Sequence, residues 1–154
     1  MFCVFCLVVF CLALTGANNK IVFGHKPSSG EITYCFYTND NIKEDDDVLI
    51  VNNGANKMVY CSFEKAGRIK GLLNNIFGES FCIKNANSFD KEYIFENIKK
   101  TKILQENFEN MQIFYCFDAN LPKFVKIDGK KVNIQVAVCG DNITMGYPLI
   151  LGEY

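Results

Sequence analysis

The chain is poor in the residues that most catalytic and metal sites require. It has one histidine, His25, among 154 residues, and it has no tryptophan. One histidine excludes a three-histidine zinc site within the chain, and His25 lies in a turn rich in glycine, proline and serine, where a solvated side chain is usual. The sequence also lacks the G-x-S-x-G, P-loop, G-x-G-x-x-G and H-E-x-x-H motifs. We therefore expect no catalytic residue, no metal and no cofactor.

Strong charge of either sign is also missing. The formal net charge is −1, and no run of lysine and arginine occurs. Nucleic-acid binding depends on clustered positive charge, so we predict no nucleic-acid partner. The one acidic run, at residues 44–47, lacks the alternating ligands and central glycine of a calcium-binding EF-hand loop. A charged surface loop is the expected outcome there.

Residues 1–14 form an uninterrupted apolar run, followed by the small residues Thr15, Gly16 and Ala17. A membrane-spanning helix needs roughly 20 apolar residues, whereas a shorter run with a small-residue cleavage site is typical of a secretory signal peptide. The pattern predicts that residues 1–17 are removed. Residues 18–154 are then predicted to form a single secreted, extracellular domain without a membrane span.

Five of the eight cysteines follow the predicted signal peptide. In an oxidising compartment they are disulfide candidates, and an odd number leaves at least one thiol free or linked to a second chain. A disulfide-linked or non-covalent dimer is therefore an open alternative. The pairing is also open, although bridges among the strand residues Cys35, Cys116 and Cys139 are preferred. The five candidates are Cys35, Cys61, Cys82, Cys116 and Cys139.

Residues 132–138 show the clearest strand pattern. Every second residue is β-branched and apolar, which is the period of a half-buried strand. Asp128-Gly129 just before it is a hairpin-turn signal. Many short strands separated by turns favour an antiparallel β-sandwich, of Greek-key type. Further strands are predicted near residues 20–23, 31–37, 48–51, 57–63, 81–83, 111–117 and, as an edge strand because of Pro148, 147–151.

The middle of the chain has a helical period instead. Apolar residues from Ile69 to Phe77 recur at helical spacing, with Gly78 as a C-terminal cap. Residues 89–100 form a second predicted helix, capped by Asn87 or Ser88. We interpret segment 64–110 as an insertion, helical around 67–110.

Two other groups of residues are candidates for function. Asn142-Ile143-Thr144 is the one N-x-S/T sequon, which predicts glycosylation of Asn142 on an exposed loop. Aromatic residues of the predicted strands are expected to pack in the core, with an aromatic-lined ligand cleft as the alternative. They are Tyr34, Phe36, Tyr37, Phe114, Tyr115 and Phe117.

The order of these features resembles the nematode transthyretin-like family of secreted β-sandwich proteins. The corresponding segments are the Lys26-Pro27 turn, acidic residues 45–47 before a leucine-containing strand, the Asn53-Gly54 hairpin, residues 113–116 and the closing residues 145–151. The family's first cysteine and the histidine of its Tyr-His-x-Cys segment are absent, and residues 64–110 exceed the family pattern. The histidines and C-terminal tetrapeptide of the related hydroxyisourate hydrolases are also absent, so their activity does not carry over.

The resemblance implies a non-enzymatic binding or carrier protein, or an extracellular signalling protein. Its partner is then a small apolar ligand or an unknown protein. An alternative is a secreted effector or inhibitor that docks on a protein through the helical insertion. A third alternative is an enzyme that pairs an unpaired thiol with His25.

Overall fold

The computed structural model describes residue 23, residues 27 and 28, and residues 30–43 and 48–152. The predicted signal peptide, His25 and the acidic run 44–47 lie outside these residues. The elements in chain order are β1 (Glu31–Thr38), β2 (Leu49–Asn53), β3 (Asn56–Ser62), α1 (Phe63–Leu72), β4 (Ile76–Lys84), α2 (Ser88–Thr101), β5 (Lys102–Asn107), β6 (Gln112–Cys116), β7 (Val125–Ile127), β8 (Lys130–Val132), β9 (Ile134–Cys139) and β10 (Asn142–Tyr147).

Eight of the strands form one antiparallel sheet. Their order is β2-β3-β1-β4-β10-β9-β6-β5, while β7 and β8 pair as a separate two-stranded ribbon. The prediction of a mainly β, antiparallel protein is confirmed. None of the helices in the described part of the chain is long and apolar enough to cross a membrane.

Both helices lie on one face of this sheet, which we call the helix face. Tyr34 is opposite Phe81 on the neighbouring strand, and Phe81 is opposite Met145 on the next. Residues opposite one another point to the same side of a sheet. The main apolar cluster joins this side to buried residues of both helices, among them Ile69 and Ile94. The core therefore lies between the helices and the sheet.

The C-terminal segment 148–152 runs across the opposite face. Ile150 is buried there against Ile113 and Ala137, and its backbone N–H donates to Gln135 Oε1 over 3.0 Å. Gly146 lets the segment pass so closely, because a Cβ at that position would lie 2.4 Å from the Ile150 nitrogen. The predicted edge strand 147–151 is therefore wrong. The last strand is β10, and it lies inside the sheet.

Helix α1 begins and ends earlier than predicted. It stops at Leu72, and Ile76 starts β4. One reason is Asp40, whose carboxylate accepts hydrogen bonds from the backbone N–H groups of Asn74 and Asn75 and so holds a turn where the helix was expected to continue. The apolar residues from Ile69 to Phe77, predicted as one helix face, are therefore divided between α1, the turn and β4.

Segment 64–110, interpreted as a helical insertion, contributes strands to the sheet as well as helices. Strand β4 belongs to this segment and lies between β1 and β10, near the middle of the sheet. Residues 102–107 add the edge strand β5. The predicted second helix is confirmed as α2, and Asn87 is its N-cap, accepting a hydrogen bond from the Asp90 N–H over 2.8 Å.

The predicted hairpin forms, but its second arm is divided. Asp128 and Gly129 have φ values of +48° and +75°, as a tight turn of type I′ requires. The alternating run then breaks at Asn133. Strand β8 stays in the ribbon, whereas β9 enters the large sheet between β10 and β6.

Candidate functional site

A cavity of about 310 Å³ lies between helix α2 and the helix face of the sheet. Small-molecule sites in proteins commonly have volumes of roughly 300–1,000 Å³, with mostly apolar walls and a few polar groups. This cavity has that composition. Eight of its thirteen lining residues are apolar, and the other five are polar or acidic.

The floor of the cavity comes from the sheet. Phe81 and Ile83 of β4, Ile134 of β9 and Met145 of β10 all line it. Met145 lies opposite Phe81 on one side and opposite Val136 on the other, so the strands present these side chains on the same face. The floor is entirely apolar.

The wall of the cavity comes from helix α2. Its lining residues follow the spacing of one helical face, where positions three and four apart are neighbours. Ile94 anchors this face in the core, while most of the other positions carry polar side chains. The helix therefore adds hydrogen-bonding groups to an otherwise apolar space. The lining residues of α2 are Asp90, Tyr93, Ile94, Asn97 and Thr101.

A polar cluster fixes the beginning of α2. The carboxylate of Asp90, which is 2% exposed, accepts the backbone N–H of Ser28 over 2.8 Å and the Ser28 hydroxyl over 3.2 Å. Asn87 Nδ2 donates to the same hydroxyl over 2.9 Å. A carboxylate in the first turn also interacts favourably with the helix dipole. The cluster holds Ser28, whose neighbour Pro27 lines the cavity.

Asn133 organises the loop at the other end of α2. Its side chain accepts the Asp118 N–H over 2.8 Å and donates to the carbonyl oxygens of Asp118 and Leu121 over 2.7 and 3.3 Å. Both of these loop residues line the cavity. This role of Asn133 was not predicted, because a polar residue between two apolar strand positions normally indicates an outward-facing side chain.

The half of the sheet beneath α1 is packed differently. Lys70 of α1 forms an ion pair with Glu79 of β4, and Tyr34 donates a hydrogen bond to the other oxygen of the same carboxylate. The Glu79 side chain is 3% exposed and that of Lys70 is 15% exposed. A buried carboxylate requires such partners, because an unpaired charge in the interior is costly. These contacts join α1 directly to the sheet.

The five candidate cysteines are all free thiols in the structure. Cys61 lies opposite Tyr34 and so points to the helix face, which leaves Cys35 on the other face. Cys116 lies opposite Ile134 on the helix face. A disulfide needs Cβ atoms roughly 3.5–4.5 Å apart, so the sheet itself separates Cys35 from Cys116. The structure gives the preferred bridges among Cys35, Cys116 and Cys139 no support.

Burial also changes the chemistry of three of these thiols. Burial raises the pKa of Cys35 to about 12 and that of Cys61 to about 11, and it raises the pKa of Cys116 as well. The thiolate is the nucleophilic form. These three side chains are therefore protonated and weakly nucleophilic at neutral pH.

The sequon lies in a strand rather than on the predicted loop. Asn142 is exposed and begins β10, and its Oδ1 accepts the Asn85 N–H over 3.2 Å. Ile143 and Thr144 are buried in the sheet. The loop prediction is wrong, because β10 starts at the sequon itself. Glycosylation of Asn142 stays a prediction.

The two other kinds of candidate site are a metal-binding cluster and an aromatic-lined cleft. In the described part of the chain, no group of three or more histidine, cysteine, aspartate or glutamate side chains is placed to hold a metal ion. The strand aromatics Tyr34, Phe36, Tyr37 and Phe114 are buried, as predicted. The aromatic residues of the cavity are others, namely Phe23, Phe81 and Tyr93.

No protein-family model matches the chain, and a search of curated proteins finds no match either.

Proposed function

We propose that this is a secreted, non-enzymatic binding protein whose cavity beneath α2 takes a small, mainly apolar molecule. The observation that carries the proposal is a cavity of about 310 Å³ with an apolar floor and a polar wall, the composition that small-ligand sites share. The signal-peptide pattern of residues 1–17 supports secretion. The missing catalytic motifs and the high thiol pKa values support binding rather than catalysis.

The transthyretin-like resemblance adds a carrier or extracellular signalling role to this proposal, together with a sandwich arrangement of the strands. The cavity does not depend on that resemblance. Its polar wall is α2, which belongs to a segment outside the family pattern. The binding role and the family membership can therefore be tested separately.

The direct test is to fill the cavity. Ile134→Trp places a large side chain in the floor, and Val138→Trp is its matched control on the same face of the same strand. Val138 is also partly buried but does not line the cavity. We expect phenylbutanol, a neutral amphipathic probe, to bind the wild-type chain by calorimetry. Its affinity should fall at least about tenfold in Ile134→Trp, which is about 1.4 kcal/mol, and change little in Val138→Trp.

Equal affinity in the wild type and Ile134→Trp would place the probe elsewhere and overturn the proposal. The same holds if the wild-type chain binds no phenylbutanol. Because the chain has no natural tryptophan, the fluorescence of the introduced residue also reports whether each variant is folded.

A second candidate function is docking on a protein through segment 64–110. Six of the ten exposed large apolar residues of the described chain belong to this segment. Two of them, Phe89 and Tyr93, lie four residues apart on α2 and are therefore neighbours on its surface, and exposed apolar patches mark interaction surfaces. Phe89→Ser separates the two functions, because Phe89 is 61% exposed and does not line the cavity. Docking predicts that cross-links from the wild-type chain to a partner protein disappear in this variant. Ligand binding predicts an unchanged affinity for phenylbutanol. The six residues are Leu72, Phe77, Phe89, Tyr93, Ile103 and Phe108.

A further inference from the structure

The two-stranded ribbon of β7 and β8 concentrates positive charge. Residues 123–131 contain four lysines and a single acidic residue, Asp128, whereas the whole chain has a formal net charge of −1. The ribbon is separate from the eight-stranded sheet, and none of its lysines lines the cavity beneath α2. The chain thus presents a local excess of positive charge away from that cavity. The four lysines are Lys123, Lys126, Lys130 and Lys131.

Two of these lysines lie side by side on the outer face of the ribbon. Lys126 is directly opposite Lys131 in the antiparallel register, so both side chains point to the same side. Val125 and Val132 are also opposite each other and point to the other side, where Val132 is fully buried. The lysine pair therefore faces outward, and both of its residues are exposed.

The described chain does not compensate this charge. Like charges directly opposite one another in a pair of strands are destabilising, and within the described residues no carboxylate forms an ion pair with Lys126, Lys130 or Lys131. We call these three lysines the basic patch. Other lysines do have acidic partners, in the pairs Lys70–Glu79, Lys91–Asp141 and Lys99–Glu96.

The ribbon also holds its ammonium groups in place. Lys131 Nζ lies 4.6 Å from the centroid of the Phe124 ring, which is a cation–π contact. Lys123, just before the ribbon, donates from its Nζ to the Ile76 carbonyl oxygen over 2.6 Å. Groups that are positioned before a partner arrives lose less conformational freedom on binding. The basic patch is therefore prepared for an anionic partner.

The chemistry of the basic patch favours a polyanion. Ion pairs between exposed groups each contribute little, whereas a polyanion contacts several lysines at once and releases counterions with each contact. An anionic membrane matches the patch less well, because binding to a membrane surface also needs a buried apolar face. Within residues 123–131, all of which the structure describes, Phe124 is the only exposed large apolar residue.

We propose that the basic patch binds a sulfated polysaccharide, whose closely spaced sulfate groups pair with Lys126 and Lys131. Clusters of lysine and arginine are typical of sites for heparin-like chains. The choice of this polymer among polyanions uses the proposed secretion, because sulfated polysaccharides occur outside cells. The proposal adds a second binding site, separate from the cavity beneath α2.

Calorimetry of the full chain with a heparin decasaccharide, repeated over a series of salt concentrations, tests the proposal. The double variant Lys126→Gln/Lys131→Gln should bind the decasaccharide about tenfold more weakly than the wild type at physiological salt. The slope of log Kd against log salt concentration should become shallower by about 1.5, because two ionic contacts are lost. Removing two opposed like charges should not lower the stability to urea, which shows that the variant is folded.

The matched control is Lys99→Gln/Lys100→Gln, which removes the same charge from the exposed end of α2. It should keep the wild-type salt slope and an affinity within about twofold of the wild type. A second control is the same decasaccharide with its sulfate groups removed, which should bind the wild type much more weakly.

Four results would overturn the proposal. They are absence of binding to the decasaccharide, equal binding of its desulfated form, an equal loss of affinity in the two double variants, and binding that depends on Lys126 and Lys131 only with vesicles of phosphatidylserine and phosphatidylcholine. The last result would assign the basic patch to a membrane instead. Binding of phenylbutanol in the cavity is measured separately, so the failure of either proposal leaves the other in place.

Discussion

Helices α1 and α2 cover the same face of one sheet, and the cavity of about 310 Å³ lies beneath α2. The α1 side has Ala66 and Ile69 fully buried, and Lys70 reaches Glu79 on the sheet. On the α2 side, Ile94 and Ile98 are buried in the core, while the short polar side chains of Asn97 and Thr101 line the cavity. Short side chains fill less of the space between helix and sheet. The comparison separates a closed half that stabilises the fold from an open half that is available for binding.

The largest expected effect tests the closed half. Lys70→Met removes the ion pair between Lys70 and the buried Glu79 carboxylate, and we expect a loss of about 3 kcal/mol of unfolding free energy, because breaking one side of a buried ion pair is costly. Urea unfolding measures it. Lys99→Met on α2 is the matched control, since its ion pair with Glu96 is mostly exposed, and it should show no resolvable change. Similar stabilities of the two variants would contradict the distinction between the halves.

Shortening one isoleucine in each helix compares the packing directly. Ile69 is 1% exposed in the closed half, and Ile94 is 6% exposed but lines the cavity. We expect Ile69→Ala to lose about 4 kcal/mol and Ile94→Ala about 2 kcal/mol, because fewer neighbours surround a side chain that already borders empty space. Both values come from urea unfolding. A larger loss for Ile94→Ala would mean that the open half is packed as densely as the other.

The N-caps of the two helices provide a smaller contrast. Asn87 caps α2 by accepting the Asp90 N–H, whereas Ser62 at the start of α1 makes no side-chain cap hydrogen bond. We expect Asn87→Ala to cost about 1 kcal/mol, as the loss of a side-chain cap usually does, and Ser62→Ala to cost almost nothing. Thermal unfolding of both variants checks this. A cost for Ser62→Ala as large as that for Asn87→Ala would show that the closed half also depends on its cap.

The smallest effect depends on pH and concerns the turn after α1. Hydrogen bonds from the backbone N–H and side chain of Asn75, and from the Asn74 backbone, lower the pKa of Asp40 below its ordinary value of 3.8. A lowered pKa in the folded state means that the ionised group stabilises the protein above 3.8 and that this contribution is lost as the pH falls through the folded pKa.

The stability difference between the wild type and Asp40→Ala should therefore be constant near neutral pH and shrink in acid, with the main change below pH 3.8. Urea unfolding over a pH series measures the difference. A difference that stays the same from neutral pH into strong acid would show that the charge of Asp40 does not hold the turn.

The parts of the fold that the sequence predicted have local signals. Helix α2 has its cap and its apolar period within one segment, and the turn at Asp128-Gly129 needs only two residues. Only the end of strand β4, residues 81–83, was predicted, because Gly78, Glu79 and Ser80 in its middle do not form an apolar strand pattern. Glu79 is stabilised in this central strand by contacts with Lys70 and Tyr34, which lie in other elements.

The candidate site was less predictable for the same reason. A mainly apolar ligand was expected, but the lining residues come from positions between 23 and 145 and meet only in the folded chain. Asn133 positions its loop through contacts 12 and 15 residues away. Strand membership alone does not tell on which face of a sheet a cysteine lies, so the sequence could not predict that the sheet separates Cys35 from Cys116.

The central claim is that the half of the molecule beneath α2 binds a small molecule and the half beneath α1 does not. Amide chemical shifts during titration of the wild-type chain with phenylbutanol test it most directly. The account predicts saturable shifts concentrated on α2, β9 and β10 around Asn97, Ile134 and Met145, with α1 and β3 unaffected. Shifts concentrated on α1 and β3, or no saturable shifts at all, would contradict it.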